Sequence, residues 1–322
     1  MRAIKPFAEI MDVGVTDALK KIEVVGRTCY KSTDKITDGS AEKFVAGLIK
    51  RGHEAMVEHA SFCFEIDYGV YHWLKDVLEV LVDTCNFKSF MRFTSFNGRI
   101  LISGNVRAWR DLFKTLIKYV GIPICFEGFI KENPVLFPEL QNESFFDRKL
   151  GSIRPVSVAE LKTEDEFLTH CDVTVRFVVD RGVTHEIVRH RPASFAQEST
   201  RYCNYSQDKF GGQITFIIPE FFPYGSNEWT LWKNAMESAE NIYLNMTELG
   251  VTPEKARSVL PNSVKTELIM TANCAEWKHF FALRACNSTG KAHPQMLEVS
   301  RPLLDDFKKI ISGIFDDLAY GE

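Results

Sequence analysis

Apolar and polar residues alternate between Asp172 and Asp180, which puts Val173, Val175, Phe177 and Val179 on one face. A period of two over this length predicts a β-strand with a buried side. The residues that follow restrict how such a strand can be used. Thr184 is placed as the N-cap of a short helix running through His185, Glu186, Ile187 and Val188 into Arg189. Pro192 ends that helix, because proline has no amide hydrogen for the next turn. Ser194 with Gln197 three positions on matches a capping box, which predicts a second helical turn with free N–H groups. Arg189, His190, Arg191 and Arg201 add cationic or ionisable side chains to those donors, a combination that suits an anion, most simply a phosphate. The plainer reading of Arg-His-Arg is a cationic helix end favoured by the helix dipole.

Charge separates a small anion from a polymer. Across 322 residues the net charge is −4, so nothing global attracts nucleic acid or a membrane, and any anion must be held locally. A chain that is 45% hydrophobic and 25% charged reads as soluble and globular, and its length allows about two domains or one large domain with an insertion. Eight cysteines without a Cys-x-x-Cys pair fit a reducing cytoplasm rather than a disulfide framework or zinc site. The stretch Met1 to Pro6 has no apolar signal core, and no apolar run approaches the ~18 residues of a membrane span, so neither is expected.

Along the chain, residues 16–27 and Ser40 to Lys50 read as helices, the second with Phe44, Val45, Leu48 and Ile49 on one stripe. Two His and two Glu lie between His53 and His59, followed by a strand from Ser61 to Asp67. His53 and His59 are six apart and would not share a helical face as zinc-protease histidines do, so no metal site is assigned. These histidines are read as structural or as ligand contacts. Trp73 to Val82 reads as a helix, and Asn97-Gly98 predicts a type I′ hairpin between Met91–Phe96 and Arg99–Ser103. Asn105 caps a helix carrying Arg107, Trp109 and Arg110, whose arginines are read as a solvated face in preference to an anion contact, and residues 139–165 read as a surface connection. Ile214 to Ile218 reads as a strand, and residues 227–249 as a helix with Trp232, Met236, Tyr243 and Met246 inward. Thr252-Pro253 starts another helix, and an apolar strand ends at Asn273, which with Glu276 forms a further capping box. Trp277, Phe280, Phe281 and Arg284 then share one stripe, so the guanidinium needs either an anionic or polar ligand or a core carboxylate.

The sequence Arg189-His190-Arg191, seven residues, Ser199, then Arg201-Tyr202 resembles the signature of the flavin-dependent thymidylate synthases. Gly52-His53 to Glu58-His59 resembles a second element of that family, and Asn273 to Arg284 with Ala292 to Met296 its C-terminal half. The resemblance covers roughly residues 20–67 and 172–300 in ordered blocks. It implies an α+β fold, with a mixed or antiparallel sheet core and long helices. It also implies one catalytic domain over 1–322 carrying an inserted α/β segment at about 70–168.

The implied reaction is reductive methylation of dUMP to dTMP, with FAD as cofactor, methylenetetrahydrofolate as carbon donor and NADPH as reductant. By resemblance Arg284 is the catalytic group. His53, Arg189, His190, Arg191, Gln197, Asn273 and His279 meet the flavin. Glu186, Arg189, Gln197, Ser199, Thr200, Arg201 and Arg284 meet the substrate. Ala55, Glu267 and Ala275 depart from the family pattern, the latter two standing where members place arginines. A homotetramer is implied. Sites shared between chains are expected as well, because consecutive helical residues point ~100° apart and Arg189, His190 and Arg191 would fan out. No cysteine nucleophile is expected, since none of the eight follows Pro or precedes His; Cys203 is nearest the motif. The rival readings are a flavin- or nucleotide-binding homologue without turnover, and a nucleic-acid-binding protein, which the net charge disfavours.

Overall fold

The computed structural model describes residues 1–14, 17–80, 90–201, 205 and 212–321. The chain opens with β1 (Arg2–Ile4), β2 (Phe7–Val13), α1 (Ala18–Cys29), α2 (Ser40–Lys50) and α3 (Glu54–Val57). Next come β3 (Ser61–Ile66), α4 (Tyr68–Val80), β4 (Met91–Phe96), β5 (Arg99–Asn105) and α5 (Val106–Tyr119). The segment β6 (Ile122–Pro123), α6 (Glu127–Glu132), β7 (Phe145–Phe146) and β8 (Ile153–Pro155) leads to α7 (Glu164–His170) and β9 (Asp172–Asp180). Then follow α8 (Arg181–Ile187), β10 (Ser194–Gln197), β11 (Thr215–Ile217), α9 (Asn227–Glu248) and α10 (Pro253–Ala256). The last elements are β12 (Lys265–Asn273), α11 (Cys274–Arg284) and α12 (Pro294–Ile310).

The central sheet is antiparallel, in the order β10-β12-β9-β2. Strand β9 is buried along nearly its whole length. Its Val173, Val175, Phe177 and Val179 join Leu268, Met270 and Ala272 of β12 beneath Trp277, Phe280 and Phe281 of α11 and Leu303, Leu304 and Phe307 of α12. The opposite face is smaller: Ala196 and Ile269 meet Val25 and Cys29 of α1. A second antiparallel sheet, β4-β5-β3-β8, packs on α1, α2, α5 and α6 around Phe64, Trp109, Phe113 and Phe137. The two short parallel pairs β1-β11 and β6-β7 make the fold mixed α+β, as expected.

Asn97 and Gly98 adopt φ of 50° and 78° between β4 and β5, the left-handed pair a type I′ turn requires. Asn105 caps α5 by accepting from the amide of Ala108 at 2.8 Å.

Four local expectations are corrected. Helix α8 stops at Ile187, so Arg189, His190 and Arg191 follow it in a turn and do not occupy consecutive helical positions. The cap of α8 is Asp180, whose Oδ1 accepts from the amide of Val183 at 2.7 Å. Thr184 lies inside the helix, its hydroxyl donating back to the carbonyl of Arg181. Ser194 to Gln197 is strand β10 rather than a helical turn, paired Ser194↔Thr271 through Gln197↔Leu268, so the ladder takes the backbone groups a cap would have used. Helix α5 is a solvated face only in part, since Arg107 is about half exposed. Trp109 is fully buried and Arg110 is buried among carboxylates.

Candidate functional site

At the C-terminal end of α11, Arg284 turns toward α8 and the loop after it. Its Nε donates to His190 Nε2 at 3.2 Å and one terminal nitrogen to Glu186 Oε2 at 2.8 Å. His190 is buried, with Nδ1 3.2 Å from Glu276 Oε1. Because Nε2 accepts from an arginine, the proton on this ring sits at Nδ1 and is given to Glu276. Asn273 caps α11 by accepting from the amide of Glu276 at 3.0 Å. The result is an unbroken hydrogen-bond chain, Glu276–His190–Arg284–Glu186, in which Arg284 and Glu186 form the ion pair and the guanidinium stays partly exposed. Ligand-capable atoms of His190, Glu276 and exposed His279 lie within 4.8 Å of one another. Both ring nitrogens of His190 are already engaged in hydrogen bonds, so they offer no free lone pair to a metal.

Arg189 and Arg191 point outward. Arg189 Nε donates to the carbonyl of His185, and among the described residues neither arginine pairs with a carboxylate. Gln197 donates to Thr184 Oγ1 at 3.1 Å and Thr266 Oγ1 at 3.4 Å, toward α8. Ser199 follows, its amide reaching the carbonyl of Cys29. Buried Thr200 accepts from Arg257 at 3.2 Å, and Arg201 lies 3.7 Å from Glu254. Tyr202 and Cys203 lie outside the described residues.

The other candidates stand across the sheet. Exposed His53 precedes α3 with Nδ1 3.4 Å from the Tyr30 hydroxyl. His59 is buried, with Nδ1 2.8 Å from Thr271 Oγ1, and burial above all, with Lys21 adding to it, pushes its pKa down to about 3, so it is a neutral structural ring. Glu267 sits on the same face between Lys265, at 2.7 Å, and Lys31. Burial raises its carboxyl pKa, but these two ammonium groups outweigh that and bring it to about 2. Ala55 and Ala275 are exposed. Thus Arg284, Glu186, His190 and Gln197 gather at the α8–α11 side, while His53 lies with α1 and α3 on the other.

Lys31, Lys265, Arg257 and Glu276 were not singled out as site residues by sequence. Lys265 and Glu267 are two apart on a strand and so share a face, which was a usable signal. Lys31 and Arg257 come from distant loops and carried none. Glu276 was legible only as a cap. Among the described thiols, burial drives Cys63 up to about 12 and Cys125 to about 11, which makes these two poor nucleophiles.

This chain is similar to several proteins named flavin-dependent thymidylate synthase. The one from Pyrococcus furiosus is 37% identical over 129 residues, which is 40% of this chain and 51% of that protein. The one from Geobacter sulfurreducens is 32% identical over 143 residues, 44% and 59% of the two chains. The chain therefore spans about half the length of the curated relatives it matches. A solved UMP/dUMP methylase from Streptomyces cacaoi, bound with 5-Br dUMP, aligns over 96% of this chain and 93% of its own at 15% identity, with a TM-score of 0.40. The profile of the family described as thymidylate synthase complementing protein matches residues 13–74 and 162–311. Those stretches hold His53, the Arg-His-Arg motif, β9, β12 and the whole hydrogen-bond chain on Arg284, and the chain belongs to the thymidylate synthase complementing protein family.

Proposed function

We propose that this protein is a flavin-dependent thymidylate synthase, converting dUMP to dTMP with methylenetetrahydrofolate as carbon donor and NADPH as reductant. The observation that carries the reading is Arg284 held by Glu186 and His190, a guanidinium oriented before any substrate arrives. Such a group stabilises negative charge developing on a pyrimidine ring without reorganising at that moment. Glu276 orients His190, and His190 in turn fixes the plane of the guanidinium. Ser199, Thr200 and Arg201 hold the nucleotide phosphate and ribose, with Arg257 beside Thr200 adding a cation. Glu186, Arg189 and Gln197 border the pyrimidine.

The residues present fit FAD. Arg189 and Arg191 are exposed cations without carboxylate partners among the described residues, and they suit a dinucleotide pyrophosphate. His53, Gln197, Asn273 and His279 complete the flavin contacts, while His190 acts from behind the surface. When bound, FAD supplies the hydride that the side chains do not.

Residues 1–322 act as one catalytic domain with 70–168 inserted, in a cytoplasmic homotetramer. The division of candidates between two faces of one sheet supports sites shared between chains. A homologue that binds flavin without turnover is the second reading, favoured by Glu267 being neutralised by Lys31 and Lys265 where some members place an arginine.

The visible spectrum of the purified protein is the first test, and flavin bands are expected. A protein with no flavin, and no uptake of added FAD, overturns the proposal. dUMP-dependent oxidation of the reduced flavin then separates enzyme from non-catalytic homologue.

A further inference from the structure

Helix α5 belongs to the stretch, residues 75–161, that the family profile leaves unmatched, yet it faces α3 directly. Two carboxylates on α3 and its end, Glu54 and Glu58, are four residues apart and share a face. They meet Arg110 and Arg107, three apart on α5: Arg110 Nε reaches Glu54 Oε2 at 3.3 Å, and Arg107 reaches Glu58 Oε1 at 2.6 Å. The amide of Val106 donates to the carbonyl of Ala60 at 2.8 Å, which ties the start of α5 to the short link between α3 and β3. A helix of four residues does not hold itself in water, so these contacts, with the packing of α3 on α1, α2 and β10, set where it lies.

The second oxygen of Glu58 faces the motif. Oε2 accepts from Ser194 Oγ at 3.2 Å, and Ser194 opens β10, the strand that carries Gln197 and leads into Ser199–Arg201. Glu58 thus bridges the unmatched segment and the motif strand through its two oxygens. His53 sits at the other end of α3, as its N-cap residue.

We propose that Arg107 is a positioning residue for the candidate site, acting through Glu58 to hold Ser194 and α3, and with them His53, in register. Arg107 has a side chain 47% exposed, so its removal opens no cavity, whereas Arg110 is buried and bears on the core as well. Without Arg107 the Glu58 carboxylate, only 12% exposed, keeps the Ser194 hydroxyl but loses its charged partner. A lysine at 107 restores the charge, though not the guanidinium geometry.

The experiment compares full-length wild type, Arg107→Ala and Arg107→Lys by amide hydrogen exchange, Tm and FAD titration. The affinity arm rests on the proposed function; the exchange arm does not. In Arg107→Ala, exchange is expected to rise in peptides covering residues 53–60 and 194–197 while Tm stays close to wild type. FAD affinity is expected to fall about five- to tenfold, and Arg107→Lys to recover much of it. Unchanged exchange at 194–197, or unchanged FAD affinity in an enzyme that binds FAD, overturns the proposal. Exchange raised throughout with a lowered Tm also overturns it, because the role is then structural. If the wild type takes up no FAD, the functional reading falls, and exchange at 194–197 alone decides the coupling.

Discussion

A guanidinium on the apolar stripe of α11 is tolerated because two other elements satisfy it. Glu186 comes from α8, and His190 from the turn after it, itself anchored by Glu276. Arg284→Ala should therefore keep the fold and the bound flavin while kcat/KM for dUMP falls at least ~100-fold, the scale of losing a preorganised electrostatic group. Steady-state kinetics checks this, and an unchanged kcat/KM would remove Arg284 from the reaction. A second residue bears on stability. Burial, with the charges of Glu220 and Asp180 adding to it against Lys5, raises the Glu298 carboxyl from 4.5 to about 7. The folded state then holds a proton that the unfolded state releases earlier. This contribution is complete below the ordinary value of 4.5 and is lost as pH rises through about 7. Glu298→Gln should flatten that decline and raise Tm at about pH 8 relative to wild type. Parallel pH–Tm curves for the two proteins would show that Glu298 is not the titrating group.

Elements whose signals are local were legible. Ser40–Lys50 and Asp172–Asp180 follow their periods to the residue, and Asn97-Gly98 gave its turn because only left-handed backbone closes such a hairpin. Gly98 has φ 78° with nothing within 4 Å of an added Cβ, so Gly98→Ala should cost about 1 kcal/mol from backbone conformation alone. Urea unfolding measures it, and a neutral result would mean that the turn relaxes. Elements decided by distant partners were not legible. Ser194 and Gln197 carry cap chemistry, and only β12, far along the chain, makes them a strand. Charge on α5 suggested solvent because its neutralising carboxylates, Glu54 and Glu139, lie in other segments. The site divides in the same way. Arg284 was legible as a cation that needed a partner, but the identity of that partner, and the route from Glu276 through His190, belong to tertiary structure.

At the scale of the whole molecule, Arg189 and Arg191 face outward, and His53 lies across the central sheet from Arg284. The proposed site shared between chains rests on this separation. Arg189→Ala and Arg201→Ala, each inactive alone, should regain activity when dissociated and reassociated together, since some mixed sites then hold both native arginines. Verified mixed oligomers no more active than either parent would defeat the shared site. The strand order β10-β12-β9-β2 also has a consequence for biosynthesis. The small sheet, from residue 61 to 155, can close as soon as it leaves the ribosome. Strand β9 emerges soon afterwards with Val173, Val175, Phe177 and Val179 uncovered, and β12, its neighbour, begins 85 residues after β9 ends. At about 5–20 residues per second that wait lasts on the order of 4–17 s, with one edge of β9 open and the apolar cover of α11 and α12 not yet made. During each round of translation the nascent chain presents an unfinished sheet to its surroundings, and a holdase that shields apolar strands has its binding window there.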